Sequence, residues 1–264
     1  MKGHGTGNDF VLIPDLDDRL ALPASLVAAI CDRRSGLGAD GILRVVRMDG
    51  GFFMDYRNAD GSPAEMCGNG IRVFARYLVA AGHLPPGPAV IGTRAGAKHL
   101  VVPADGDITV DMGPAQALGD GPVGVQIGGR ELTGTAVSMG NPHLVVQVDE
   151  PLAGIDFTRP PHVAGDRFPD GVNVEVVTRT ADDSLAMRVF ERGVGETDSC
   201  GTGACAAAFA VASAQQAGLP GTWHVEVPGG RLTVELTAGS TLLTGPAVLG
   251  VAGELDPSWL AAAR

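Results

Sequence analysis

Lysine is almost missing from this chain. Among 264 residues only Lys2 and Lys98 occur, and neither is placed to form an imine with a pyridoxal-type cofactor. Cysteine is scarce too. Four cysteines in a chain of this length make no disulfide framework. None stand as Cys-x-x-Cys, and Cys200 and Cys205 lack the spacing of a zinc half-site, so reduced thiols and no metal are expected. No stretch approaches the roughly 18 to 20 apolar residues of a membrane helix. Residues 1–10 are glycine-rich and polar, without the apolar core of a signal peptide; a soluble, cytoplasmic protein is expected. Basic residues number 19 against 30 acidic, a net charge of −11, which disfavours nucleic acid or an anionic membrane as partner. What the chain does have is apolar mass, 45% of its residues. That supports a sizeable core in two medium domains or one large one.

The chain is written twice. Gly7-Asn8-Asp9-Phe10-Val11-Leu12-Ile13 matches Gly140-Asn141-Pro142-His143-Leu144-Val145-Val146, an offset of 140 − 7 = 133. Met66-Cys67-Gly68-Asn69-Gly70 matches Ser199-Cys200-Gly201-Thr202-Gly203, again at 200 − 67 = 133. Gly113-Pro114-Ala115 matches Gly245-Pro246-Ala247 at 245 − 113 = 132. Each match alone is noise; three in the same order imply two related halves.

Both halves read alike. Residues 9–13 and 143–148 are β-branched and aliphatic, as strands are, and 51–57 and 184–190 alternate as half-buried strands do. A glycine-bearing loop, the cysteine and a helix follow each. The helices span 71–81 and 204–217, stopped by Gly82 and Gly218. Short strands come next, at 100–103, 107–112, 223–227 and 231–236, with turns at Pro85-Pro86 and Pro228-Gly229-Gly230. The junction falls in 114–122, giving domains of 1–115 and 116–264. The fold class expected is α+β, two similar domains, each an antiparallel sheet wrapped around a helix.

Cys67 and Cys200 each stand directly before Gly-x-Gly and a helix. A helix N-terminus offers unpaired N–H donors and about half a positive charge, so a thiol there is expected to ionise more readily than usual. The glycines allow close approach to a carboxylate. If the halves face each other, the sulfurs flank one cleft, and repulsion leaves one as thiolate and one as thiol. That pair can remove a proton from one face of a carbon and deliver one to the other. A single cysteine so placed is more often packing than chemistry; the repetition turns the argument. Cys31 and Cys205 lack this setting and read as core. Gly201-x-Gly203-x-x-Ala206 also fits a dinucleotide fingerprint. However, Glu196 and Asp198 crowd its loop, and the first copy breaks the pattern at Val73.

At these residues the chain resembles the diaminopimelate epimerase family. The first-half motifs are Gly-Asn-Asp-Phe at 7–10, Asn-Ala-Asp-Gly-Ser at 58–62 and Met-Cys-Gly-Asn-Gly-Ile-Arg at 66–72. Those of the second are Ser-Met-Gly-Asn-Pro-His at 138–143, Val-Asn at 172–173, Glu-Arg-Gly at 191–193 and Cys-Gly-Thr-Gly-Ala-Cys-Ala at 200–206. The resemblance runs from residue 3 to about residue 250 and implies a barrel-like sheet in each domain, with the last strand, near 248–255, returning to the first. It implies cofactor-independent conversion of LL-diaminopimelate to the meso form, for lysine and cell-wall synthesis, with Cys67 and Cys200 as the two bases. Gly68, Asn69, Gly201 and Thr202 would hold the reacting carboxylate and Asn8 the reacting amino group. Asn58, Asn141, Asn173 and Arg192 would grip the distal end, where an arginine suits a carboxylate. Glu191 would contact amino groups, and His143 and Glu191 would tune the thiols. Partners reduce to this small molecule, with a homodimer allowed.

One departure stands out: many members carry glutamine where this chain has Gly41, so that side chain's amino-group contact must be absent or replaced by water or backbone. Related racemases of proline, hydroxyproline or histidine are the nearest alternative, although proline-type relatives tend to have histidine where Asn69 stands. A phenazine-type isomerase or a silent binding protein of this fold would lack one or both cysteines. A thiol-redox role is disfavoured by the missing Cys-x-x-Cys.

Overall fold

The computed structural model describes residues 1–48, 50–215 and 220–263. The elements begin with β1 (Lys2–Gly5), β2 (Asn8–Pro14), α1 (Ala24–Cys31), β3 (Gly41–Met48), β4 (Gly51–Asn58), α2 (Gly68–Ala80), β5 (Gly87–Thr93), β6 (Gly96–Val102) and β7 (Ile108–Gly113). There follow β8 (Gln116–Ala117), β9 (Val123–Ile127), β10 (Arg130–Ser138), β11 (Pro142–Gln147), a 3-10 turn at Leu152–Gly154, β12 (His162–Val163), β13 (Asn173–Ala181) and β14 (Ser184–Glu191). The chain closes with β15 (Gly195–Thr197), α3 (Gly201–Ala214), β16 (Gly221–Val227), β17 (Gly230–Leu236), β18 (Thr241–Gly245), β19 (Val248–Val251) and α4 (Pro257–Ala262). They form two compact units: Met1–Val110 with Gly245–Arg264, and Asp111–Thr244.

In the first unit β1 pairs antiparallel with β2 and with β19. β2 runs parallel to β3, β3 antiparallel to β4, β4 parallel to β5, and β5 to β7 antiparallel in turn. The second unit repeats the pattern: β10 antiparallel to β11, β11 parallel to β13, β13 antiparallel to β14, β14 parallel to β16, and β16 to β18 antiparallel. The sheets are therefore mixed where the strand periodicity alone led to an antiparallel one. Parallel neighbours cannot be joined by a hairpin and need a crossover; α1 and α2 supply it in the first unit. In the second, residues 148–172 and then β15 with α3 do so.

Each sheet wraps one helix. α2 packs against β1, β2, β3, β4, β6 and β19, and α3 against β10, β11, β13, β14, β16 and β17. In α2, Ile71, Val73, Phe74, Ala75 and Leu78 are buried. α3 is surrounded more completely and is accordingly built of alanine, with Ala204, Ala206, Ala207, Ala208, Ala210 and Ala212 all buried. Cys31 and Cys205 are core residues. Gly82 ends α2 in the left-handed region at φ 71°, and His83 N–H reaches back to Leu78 O at 2.8 Å, a capping geometry glycine adopts without penalty. α3 ends at Ala214; Ala217 and Gly218, where the sequence placed the stop, lie outside the described residues. Among the described residues no helix is long and apolar enough to cross a membrane.

Candidate functional site

Cys67 and Cys200 are the N-caps of α2 and α3. Both have extended backbone, and each sulfur accepts from the amide three residues on, Gly70 and Gly203, at 3.4 Å. The helices start three residues earlier than apolar periodicity indicated. Glycine is a poor helix former, but the cap satisfies donors that the first turn leaves open.

In the first unit, a two-residue turn places the neighbours of Cys67. Thr6 and Gly7 both have positive φ, 50° and 85°, and join β1 to β2 with Gly5 opposite Asn8. A β-branched residue rarely adopts that conformation. Here the buried Thr6 hydroxyl donates to Asn69 Oδ1 at 3.3 Å, tying the turn to the first turn of α2. Asn8 follows at once. Its Oδ1 accepts from the Cys67 thiol at 3.5 Å and from Asn69 Nδ2 at 3.4 Å, and its Nδ2 donates to Asp40 Oδ2 at 2.6 Å. Arg72, fully buried, donates to Gly68 O at 2.9 Å, Asn69 Oδ1 at 3.0 Å and Pro246 O at 3.3 Å.

Asn58 keeps to its own turn, donating to Ser62 Oγ at 3.0 Å. The glycine at position 41 has a steric reason: a Cβ there would lie 2.4 Å from Arg57 O and 2.8 Å from the Tyr56 ring. Glutamine does not fit without moving β4.

In the second unit Cys200 is buried, 6% exposed. Its Sγ lies 3.4 Å from Thr202 Oγ1. Burial first, then the carboxylates of Glu191 and Glu175, hold the thiol well above its ordinary range, against the Thr202 hydroxyl and the Gly203 amide. At Cys200 desolvation therefore opposes the ionisation that a helix N-terminus is expected to favour. Glu191 is itself raised by burial and by Glu175, although the Thr197 hydroxyl, donating at 2.6 Å, and the Cys200 thiol pull the other way.

His143 is fully buried, its Nδ1 2.7 Å from Glu175 Oε1 and its Nε2 3.1 Å from Asn141 Oδ1. Asn141 Nδ2 donates to Thr202 Oγ1 at 3.5 Å. Asn173 accepts from the Arg192 backbone amide at 2.8 Å, and the exposed Arg192 guanidinium donates to Asp170 O at 3.2 Å.

The structure thus gathers Asn8, Gly68 and Asn69 around Cys67, and Asn141, His143, Glu191, Gly201 and Thr202 around Cys200. Asp40, Arg72 and Glu175 join these groups without having been singled out. Glu175 leaves a trace in the sequence, a lone carboxylate in the run Val174-Glu175-Val176-Val177. Among the described residues no cluster of three or more His, Cys, Asp or Glu side chains could hold a metal ion.

A family model described as diaminopimelate epimerase matches residues 1–118 and 135–250. A curated diaminopimelate epimerase of Thermobifida fusca is 51% identical over 274 residues, covering 98% of both chains. That of Streptomyces coelicolor is 50% identical over 280 residues, covering 98% of this chain and 96% of its own. Among solved structures, a hydroxyproline epimerase from Agrobacterium vitis superposes with a TM-score of 0.69 at 14% identity, over 95% of this chain and 90% of that one; this likeness is one of fold. The chain belongs to the diaminopimelate epimerase family.

Proposed function

We propose that the chain is an isomerase that converts LL-diaminopimelate to meso-diaminopimelate without a cofactor, using Cys67 and Cys200 as paired base and acid. The observation that carries this reading is the repeated cysteine cap, each sulfur held by the amide three residues on, in a chain about half identical to curated epimerases over nearly all its length. The reaction needs one sulfur to take the α-proton as a thiolate and the other to return a proton to the opposite face as a thiol. Burial and the nearby carboxylates favour the thiol of Cys200, which suits it as the donor, and Cys67 acts as the acceptor once it has given up the proton it directs at Asn8 Oδ1. After one turnover the two have exchanged protonation states; that form serves the reverse reaction, and proton exchange with solvent resets it for the next forward turnover.

The carbanion left behind is stabilised through its carboxylate by the amides at Gly68, Asn69, Gly201 and Thr202, donors fixed before the charge develops. Asn8 takes the reacting amino group. Asn58, Asn141, Asn173 and Arg192 take the distal amino acid end, Glu191 its amino group, and His143 and Glu191 tune the thiols. A homodimer and a cytoplasmic location complete the proposal. Light scattering on the purified protein tests the former. The reaction is tested by incubating the enzyme with LL- and meso-diaminopimelate, proline and histidine in deuterated water. Deuterium is expected at the α-carbon of diaminopimelate alone; incorporation into proline at a similar rate overturns the substrate assignment.

A further inference from the structure

We propose that Glu175 is a positioning residue which, through His143 and Asn141, aims the Thr202 hydroxyl at the sulfur of Cys200. The chain of contacts is continuous within the second unit: Glu175 Oε1 to His143 Nδ1 at 2.7 Å, His143 Nε2 to Asn141 Oδ1 at 3.1 Å, Asn141 Nδ2 to Thr202 Oγ1 at 3.5 Å, and Thr202 Oγ1 to Cys200 Sγ at 3.4 Å. Hydrogen-bonding capacity gives it a direction. Asn141 Oδ1 only accepts, so His143 carries its proton on Nε2. Glu175 Oε1 holds the other ring nitrogen at 2.7 Å and so fixes the orientation of the imidazole. Asn141 then donates to Thr202, which leaves the one hydroxyl proton of Thr202 to point at sulfur. Glu175 and His143 are both fully buried, and among the described residues Glu175 Oε2 has no hydrogen-bond partner, so the pair's polar effort is spent on this one direction. The groups facing Cys200 are Glu191 from β14, Glu175 from β13 with His143 from β11 behind it, and Thr202 and Gly203 of its own helix.

The device favours the thiolate of Cys200 once its proton has left, and so rests on the proposed role of that residue. Its test does not need turnover. The pH midpoint for alkylation of Cys200 by iodoacetamide is measured by peptide mapping on the full chain. Thr202→Val removes the last donor and is expected to raise the midpoint by about one pH unit, the effect of one hydrogen bond to a charged group. Glu175→Leu is expected to move it in the same direction, and the double variant no further than the larger single, as for members of one network. A plain charge effect has the opposite sign, since deleting a neighbouring carboxylate lowers the midpoint. A lowered or unchanged midpoint in Glu175→Leu, or additive shifts, overturns the proposal. Should Glu175→Leu not fold, Asn141→Leu breaks the chain at a half-buried link without altering charge; an upward shift supports the proposal and none refutes it. Full turnover in Cys200→Ala would instead refute the proposed function and leave the midpoint experiment intact.

Discussion

The two helix starts look alike but do not tolerate the same substitution. A methyl group at Gly203 would lie 2.6 Å from Glu175 Oε1, 3.1 Å from Glu175 Cγ and 3.2 Å from Cys200 Cβ. The oxygen it meets is the one bound to His143, in a side chain with no exposed surface, so it cannot swing aside without breaking that bond. Overpacking of this kind costs about 1 to 3 kcal/mol, against a gain of up to about 1 kcal/mol for replacing a helical glycine by alanine. At Gly70 the same methyl group meets Leu43 Cδ2 and Phe10 Cζ at 3.3 Å and Cys67 Cβ at 3.4 Å, contacts that yield with shifts of a few tenths of an ångström. Gly70→Ala should therefore stay within about 1 kcal/mol of wild type, while Gly203→Ala should lose about 1 to 2 kcal/mol. At roughly 3 °C per kcal/mol for a chain of this size, differential scanning calorimetry separates the two. If Gly203→Ala melts at or above Gly70→Ala, the reasoning from this contact is wrong.

Five further outcomes are expected. Cys67→Ala and Cys200→Ala should each abolish α-hydrogen exchange with inversion. Cys31→Ala should retain it, and Cys31, pushed up to about 11 by burial and by Asp9 and Asp40, should resist iodoacetamide at pH 8 in peptide mapping. Glu191 is raised by burial and accepts from the Cys200 thiol as a carboxylate, so kcat/KM should fall on acidification at a pH above the ordinary glutamate range; Glu191→Gln should remove that limb of the profile. Arg192→Ala should raise KM for diaminopimelate by about 10- to 100-fold, the loss of a charge-assisted hydrogen bond, as read in initial rates. Burial would raise Asp9, but Arg33 and Lys2 lower it to about 2. Its contribution to stability is therefore present above the unfolded value near 3.9 and lost as pH falls from there towards 2. Urea midpoints over that range should decline less steeply for Asp9→Asn.

The cysteine caps were legible because their signal is local: a thiol, two glycines and a helix, written twice. The stop of α2 at Gly82 was legible for the same reason. β1 was not, since two of its four residues, Gly3 and Gly5, give no alternation; it forms because β2 and β19 pair with it on either side. The parallel pairs were equally hidden, for periodicity reports which residues are buried and says nothing of strand direction. Glu175 and Asp40 belong to no repeated motif. Their importance arises from what lies across the sheet or in the adjoining loop, His143 for one and Asn8 for the other.

The repeated Gly-Pro-Ala has a consequence for how the chain folds. After its first copy comes β8, which pairs with β10 in the second unit; after its second copy comes β19, which pairs with β1 in the first. Each half of the gene thus ends by giving its terminal strand to the other half's sheet, an exchange of the kind seen in domain-swapped dimers, here joined in one polypeptide. During synthesis the second unit is contiguous and can close as soon as residue 244 emerges, whereas the first must wait for residues some 240 positions beyond its opening strand. Contacts that distant slow folding, because the loop must close before they repay its entropy. A chain severed near residue 118 would yield fragments that each lack one strand of their own sheet and carry one belonging to the other, a pairing that favours reassembly over independent folding.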